Sequence, residues 1–414
     1  MNQFIHSLQK RKNEIDKPYC FVNTLLCLCL FFCGFLTRHT CDYIVHTAGV
    51  ASVSFRPALF WALLKKSGYP LWSISAHVFM KLFFCSSDTA AGICTGFWLM
   101  VSFGGVLYFM LKWFEKSGAN KYIISVLCFV LFIVGPIWIP WKNPRIIIGC
   151  GGPNVWHNAT NICGRAVGIF AFFFCMAFLE RIIHSDYKYI PSVKKCVLLS
   201  FLLFFSLFAK PSFLQSFGPS FALLAIYHLI KSKGKMIKQI GMLCAISVLP
   251  FLFMIRQFFF YFSTSESNPG LMTTREGSGI VFSLPPFSSF LHTVDCQILI
   301  LMFPMIMTAI MYFKRKLDTY HAAVWLMDGV ATFCACCLSG AAYGEMGWSV
   351  YIAYFFVYLI GIRDYISLFF TDCKWNSDKC KKITFIASTV VLLINLLVGI
   401  IYLYVLIVRH FSIF

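Results

Sequence analysis

The chain has 414 residues, 59% of them hydrophobic and only 12% charged, with a mean hydropathy of +0.77. Soluble domains carry roughly 25% charged residues, so lipid must be the main solvent, and a water-soluble fold is excluded. Lys and Arg outnumber Asp and Glu by 35 to 16, but they are spread over several short loops; this argues against a nucleic-acid face and fits loops facing the cytoplasm.

A spanning helix needs about 20 mainly apolar residues. In chain order the apolar runs are Tyr19–Leu36, Ala90–Leu111, Ile123–Ile139, Ala166–Leu179, Val197–Ala209, Phe217–Ile230, Ile240–Tyr261, Ile298–Phe313, Ala322–Ala341, Val350–Ile362 and Phe385–Val408. They predict an all-α polytopic membrane bundle of about 11 transmembrane helices, forming one domain with no separate soluble part. A basic, polar start precedes the first run and no small-residue cleavage site follows it, so that run is expected to stay uncleaved.

With the amino end inside, the inner segments hold about two thirds of the Lys and Arg residues, which predicts an N-in, C-out topology. Leu71–Cys85 is short and contains His77 and Lys81, so it is expected to be an interfacial helix on the outer side. The expected outer loops are 37–89, 140–165, 262–294 and 342–348. Chemistry tends to sit on such loops when a rigid scaffold holds them. Most of the 19 cysteines lie in apolar runs, where they act as small hydrophobes, and no Cys/His set has zinc spacing. Cys41, Cys150 and Cys163 fall in outer loops, where disulfide formation is left open.

The outer loops contain few acids: Asp42, Asp88, Glu266, Glu276, Asp295 and Glu345. A transfer to a hydroxyl needs a base. Asp42 follows the first span closely, which puts it at the membrane surface as the candidate catalytic carboxylate; the alternative is a solvated loop acid. His46, four residues on, would orient Asp42, contact phosphate or ligate a metal, although a lone histidine usually does none of these.

A second polar stretch, Gly152–Asn161, holds Trp156, His157 and Asn158, an aromatic face with donors and acceptors beside it. Its alternative is an interfacial anchor followed by a turn. Asn158, Ala159 and Thr160 also match a glycosylation acceptor. Lys210 and Arg275 are cations that suit a lipid phosphate, with snorkelling at a helix end the plainer account of Lys210, while Lys142 and Arg145 flank the Gly152–Asn161 stretch and become further cations for that phosphate under the resemblance given below. Glu276 and Glu345 are further substrate-binding candidates, Glu345 as a second carboxylate or a solvated turn residue. Asp328 lies well inside a span and must face the protein interior. Phosphate-binding, zinc-hydrolase and serine-hydrolase motifs are absent from the sequence.

This layout resembles the GT-C superfamily of polytopic membrane glycosyltransferases. The resemblance rests on the cytoplasmic start, the early acid of the first outer loop, the Tyr69-Pro70-Leu71-Trp72 entry into an interfacial helix, and the Lys210-Pro211 turn. Asp42-Tyr43 with His46, Pro153-Asn154 with Trp156-His157-Asn158, and Lys210-Pro211-Ser212 also look like a group of uncharacterised bacterial membrane proteins related to that superfamily. Ala159 stands where that group usually has proline, and Gly344-Glu345-Met346-Gly347-Trp348 departs from its Gly-Asn-Phe-x-Trp turn.

The resemblance implies an outer-face active site and a polyprenyl-phosphate-linked sugar as donor. The acceptor would be a glycan, lipid or protein, and Asp42 the general base of an inverting transfer. A divalent cation, Mg or Mn, shared by Asp42 and His46 is left open. Two other functions also stay open: a carrier or flippase for lipid-linked saccharides, and a non-catalytic membrane protein of polysaccharide assembly. The expected location is a bacterial plasma membrane, with the ER membrane as the alternative.

Overall fold

In the computed structural model, the described residues are 16–53, 55–56, 68–139, 152–257, 280–282, 287–340, 343–371 and 379–409. Every apolar run of the sequence contains or is a helix: α1 Lys17–Leu36, α4 Ser87–Phe114, α5 Lys121–Ile133, α6 Ala159–His184, α7 Val193–Ala209, α8 Ser212–Lys231, α9 Ile237–Gln257, α10 Phe287–Phe313, α11 Thr319–Cys337, α12 Tyr343–Phe369 and α13 Lys379–Arg409. Two shorter helices, α2 Cys41–Ser52 and α3 Leu71–Leu82, lie between α1 and α4. The described residues also include a two-stranded antiparallel ladder, β1 Ile280–Phe282 with β2 Leu338–Gly340, pairing Ile280 with Gly340.

Eight of these helices are long and apolar enough to cross a membrane: α1, α4, α6, α8, α9, α11, α12 and α13. At 1.5 Å per residue, α3 is too short to do so. Its Trp72, Ala76 and His77 are buried while Leu82 at its end and Phe83 and Phe84 beyond it are exposed. The apolar surface is distributed as lipid requires. The spanning windows of α12 and α6 are 94% and 83% buried, those of α1 and α9 only 17% each, which makes α12 and α6 the centre and α1 and α9 the rim. On the rim, Phe21, Leu25, Leu28 and Phe32 repeat every three or four residues with their side chains exposed, an apolar stripe facing outward.

Contacts between elements define two ends. At the proximal end, where α1 begins, Asp16 meets Lys121 at 2.6 Å, Trp113 stacks near Tyr320 at 4.5 Å, and Tyr320 donates to Glu180 at 3.2 Å. At the distal end Arg38 pairs with Asp88 at 3.1 Å, and Tyr43, Trp72, Ala159, Cys163 and Ala209 form one small core. Between the ends the rings of Phe172, Phe213, Phe217 and Phe356 pack on one another.

The third apolar run is the main local departure from expectation. Its helix stops at Ile133 and residues 134–139 continue without helical structure. Non-helical backbone at this depth must be bonded by protein, and it is. Gly135 N–H donates to Asn395 O at 2.9 Å, Asn395 Nδ2 donates back to Gly135 O at 2.8 Å, and Ile137 N–H donates to Leu299 O at 3.3 Å. Asn154 Nδ2 donates to the carbonyls of Leu131 and Val134 that the broken helix leaves open. The chains touch because both positions are glycine. A Cβ on Gly135 would lie 3.0 Å from Gly399 N, and one on Gly399 would fall on the Ile133 carbonyl. Gly399→Ala is therefore expected to destabilise the protein by about 1–3 kcal/mol, read as a lower melting temperature in detergent; an unchanged melt would refute this close contact.

Candidate functional site at the distal end

Lys210 is buried at the distal end, 1% exposed. The local sequence puts it there. It follows α7 and precedes Pro211, which disfavours helical backbone at the residue before it. Lys210 accordingly has φ −169° and ψ 132° and closes α7 as its C-cap. α6 passes close by because residue 164 is glycine: a Cβ there would stand 2.9 Å from Lys210 Cβ.

The start of α6 supplies the neighbours of this ammonium. Asn158 caps the helix, its Oδ1 accepting from Asn161 N–H at 2.8 Å and Thr160 Oγ1 at 3.0 Å. Lys210 Nζ donates to Thr160 Oγ1 at 3.2 Å and Asn158 Oδ1 at 3.4 Å. It lies 4.8 Å from the ring centre of Trp348 and 5.3 Å from that of Tyr69, both cation–π distances. His157 adjoins the Trp348 ring at 5.7 Å, and its Nδ1 meets the hydroxyl of Tyr402 at 2.6 Å. Five separate stretches thus meet at Lys210 and His157: Gly68–Pro70, the start of α6, the α7–α8 connection, α12 and α13.

Just below this layer Arg165, buried, donates to Asn154 Oδ1 at 2.6 Å and sits over the rings of Phe132 and Phe355. Asn161, 1% exposed, has no partner among the described residues for either atom of its side-chain amide.

The expected site residues divide as follows. Asn158, His157 and Lys210 come together. Trp156 is 2% exposed and packs in the central core, so the aromatic faces over Lys210 belong instead to Trp348 and Tyr69. His46 lies edge-on to Trp72 at 5.9 Å. Asp42 is in the first turn of α2, and Tyr43 beside it joins the core that includes Ala159 and Ala209, the neighbours of Asn158 and Lys210. Glu345 falls in the first turn of α12, so the turn expected at 343–348 is helical in backbone. The side chains of Asp42 and Glu345 lie outside the described part, as do Lys142, Arg145, Arg275 and Glu276 altogether. Asp88 is paired with Arg38. Cys163 is a free, buried thiol.

Tyr69, Trp348 and Tyr402 were not among the sequence candidates. Tyr69 and Trp348 stand inside motifs already singled out, Tyr69-Pro70-Leu71-Trp72 and Gly344–Trp348, a signal that would have found them. Tyr402 lies in a purely apolar run and carries no such signal. Among the described residues, no three His, Cys, Asp or Glu side chains are grouped to hold a metal ion.

The fold defines a multi-pass helical membrane protein. No protein-family model matches the chain, and no curated protein matches it either.

Proposed function

We propose that the protein is a GT-C-like membrane glycosyltransferase that moves a sugar from a polyprenyl-phosphate donor to a hydroxyl acceptor. The observation that carries this reading is the buried Lys210 ammonium, set among Asn158, Thr160, Tyr69 and Trp348 next to the helix that bears Asp42. An ammonium at helix-end depth suits the phosphate of a membrane-embedded lipid. The amides of Asn158 and Asn161 and the flanking rings suit sugar hydroxyls and a sugar face.

In the reaction, the acceptor oxygen attacks the anomeric carbon as the bond from that carbon to the phosphate oxygen breaks. Asp42 takes the acceptor's proton. Polyprenyl phosphate leaves with one more negative charge, which Lys210 stabilises; such electrostatic stabilisation is usually the largest single contribution to catalysis. His46, Lys142, Arg145, Arg275, Glu276 and Glu345 complete the proposed substrate-binding set.

All eleven apolar helices are taken as spans, with the proximal end cytoplasmic. That end carries Lys17, Lys112, Lys121, Lys195, Lys231 and Lys314, in keeping with the positive-inside rule. The packed rings of Phe172, Phe213, Phe217 and Phe356 between the ends favour a one-sided site over a carrier. The membrane in this proposal is a bacterial plasma membrane.

The decisive test is Asp42→Asn, assayed by mass spectrometry of lipid-linked and surface saccharides. Transfer should vanish while expression and melting temperature stay unchanged. Full transfer in Asp42→Asn would sink the proposal.

A further inference from the structure

We propose a second lipid site, at the proximal end, that holds a phospholipid with an anionic headgroup. A groove of about 360 Å³ runs between α5, the end of α12 and α13, lined by Tyr122, Val126, Val130, Phe370, Leu393 and Leu396 among others. Its lining is almost wholly apolar. In a bilayer neither water nor empty space fills such a groove stably, so an acyl chain occupies it.

The headgroup preference follows from what stands at its mouth. On α13 the groove face is Thr389, Leu392, Leu393 and Leu396. Lys382 lies seven residues before Thr389, two helical turns further toward the proximal end on the same face. It is exposed and forms no ion pair among the described residues. Lys381 is beside it, and Lys121 and Tyr122 open the facing helix α5.

Asp16, the acid that meets Lys121 and Tyr122, is already engaged. It binds Lys121 at 2.6 Å, accepts from Tyr122 Oη at 3.2 Å and caps α1 through Tyr19 N–H at 3.1 Å. From Asp372 to Lys382 the sequence carries four lysines against two aspartates, so the approach to α13 is net positive by composition, whereas a zwitterionic headgroup would bring no net charge to meet it. The attraction is about fivefold in affinity for each lysine near an anionic lipid surface.

The site is independent of the Lys210 cluster, which lies at the other end of the bundle. Native mass spectrometry of the full chain, purified in mild detergent and titrated with phosphatidylglycerol or phosphatidylcholine, tests it. Wild type should hold one phosphatidylglycerol in preference to phosphatidylcholine. Lys382→Glu should lower that preference by about fivefold or more, while Lys233→Glu, in the α8–α9 turn at the same end, should leave it intact. Leu393→Trp, or Val126→Trp on the facing helix should the first misfold, should fill the groove and expel the lipid without changing the melting temperature. Equal retention of both lipids, equal effects of the two lysine changes, or unchanged retention in a folded groove-filled variant would each overturn the proposal and leave annular lipid only.

Discussion

Lys210→Met should lower glycosyl transfer by about 10²–10³-fold, the loss typical when one preorganised donor to a developing oxyanion is removed. Methionine keeps the length and apolar stem of the side chain and discards only the charge, so the cradle of Gly164, Tyr69 and Trp348 stays filled. The melting temperature should therefore hold within a few degrees while binding of a polyprenyl-phosphate analogue weakens.

Lys210→Arg should rescue little. The guanidinium is wider and planar, and the space is bounded by the Asn158 and Thr160 contacts on one side and two rings on the other. If Lys210 merely closed the end of α7, the pattern would reverse: Lys210→Met would melt earlier, and transfer per folded molecule would be unchanged. That outcome would remove the phosphate-binding role and with it the main support for the glycosyltransferase proposal.

What could be read in advance here has a physical explanation. The helices were legible because lipid imposes a simple rule, a run of apolar residues long enough to cross, and each such run holds a helix. The end of α5 at Ile133 was not legible, because what permits it lies far away in sequence: Asn395 and Gly399 on α13 and Asn154 before α6 bond or admit that backbone.

The meeting of Asn158 and Lys210 was partly legible. Both belong to polar breaks at helix ends, and Pro211 fixes the backbone of Lys210. The burial of Trp156 was not, since an aromatic in a polar turn reads equally as a ligand-facing ring or a core residue. The proximal charge cluster of Asp318, His321, Arg363 and Asp364 was missed as a unit. In sequence its members look like ordinary cytoplasmic loop charges, and only the packing of α11 against α12 takes them out of water.

That cluster gives the largest expected effect on stability. Arg363 Nη1 donates to Asp318 Oδ2 at 2.6 Å, and its Nη2 donates to Asp364 Oδ1 at 2.8 Å. His321 stands between the two acids, Nδ1 at 2.7 Å from Asp318 and Nε2 at 2.8 Å from Asp364. The Arg363 guanidinium also sits 4.5 Å from the Trp113 ring centre. The Asp364 side chain is 1% exposed, so Arg363→Met leaves a buried carboxylate with His321 as its remaining cationic partner among the described residues and should cost about 3–5 kcal/mol. The measurement is loss of folded protein and melting temperature in detergent. Adding Asp364→Asn to Arg363→Met should recover part of that loss, because the penalty comes from the excess of buried negative charge over His321 rather than from the missing attraction.

Asp318 supplies the pH dependence. Burial pushes its carboxyl up, but hydrogen bonding to His321 and the charge of Arg363 outweigh this and hold it well below the usual carboxylate range. A depressed acid stabilises the fold above its unfolded pKa, near 4, and the contribution fades as pH falls below that value toward the folded one. Wild-type protein should therefore melt at a lower temperature as pH drops below about 4, and Asp318→Asn should start lower and respond less. Equal pH profiles for the two proteins would mean that Asp318 is a solvated loop acid and that His321, Arg363 and Asp364 alone hold α11 to α12.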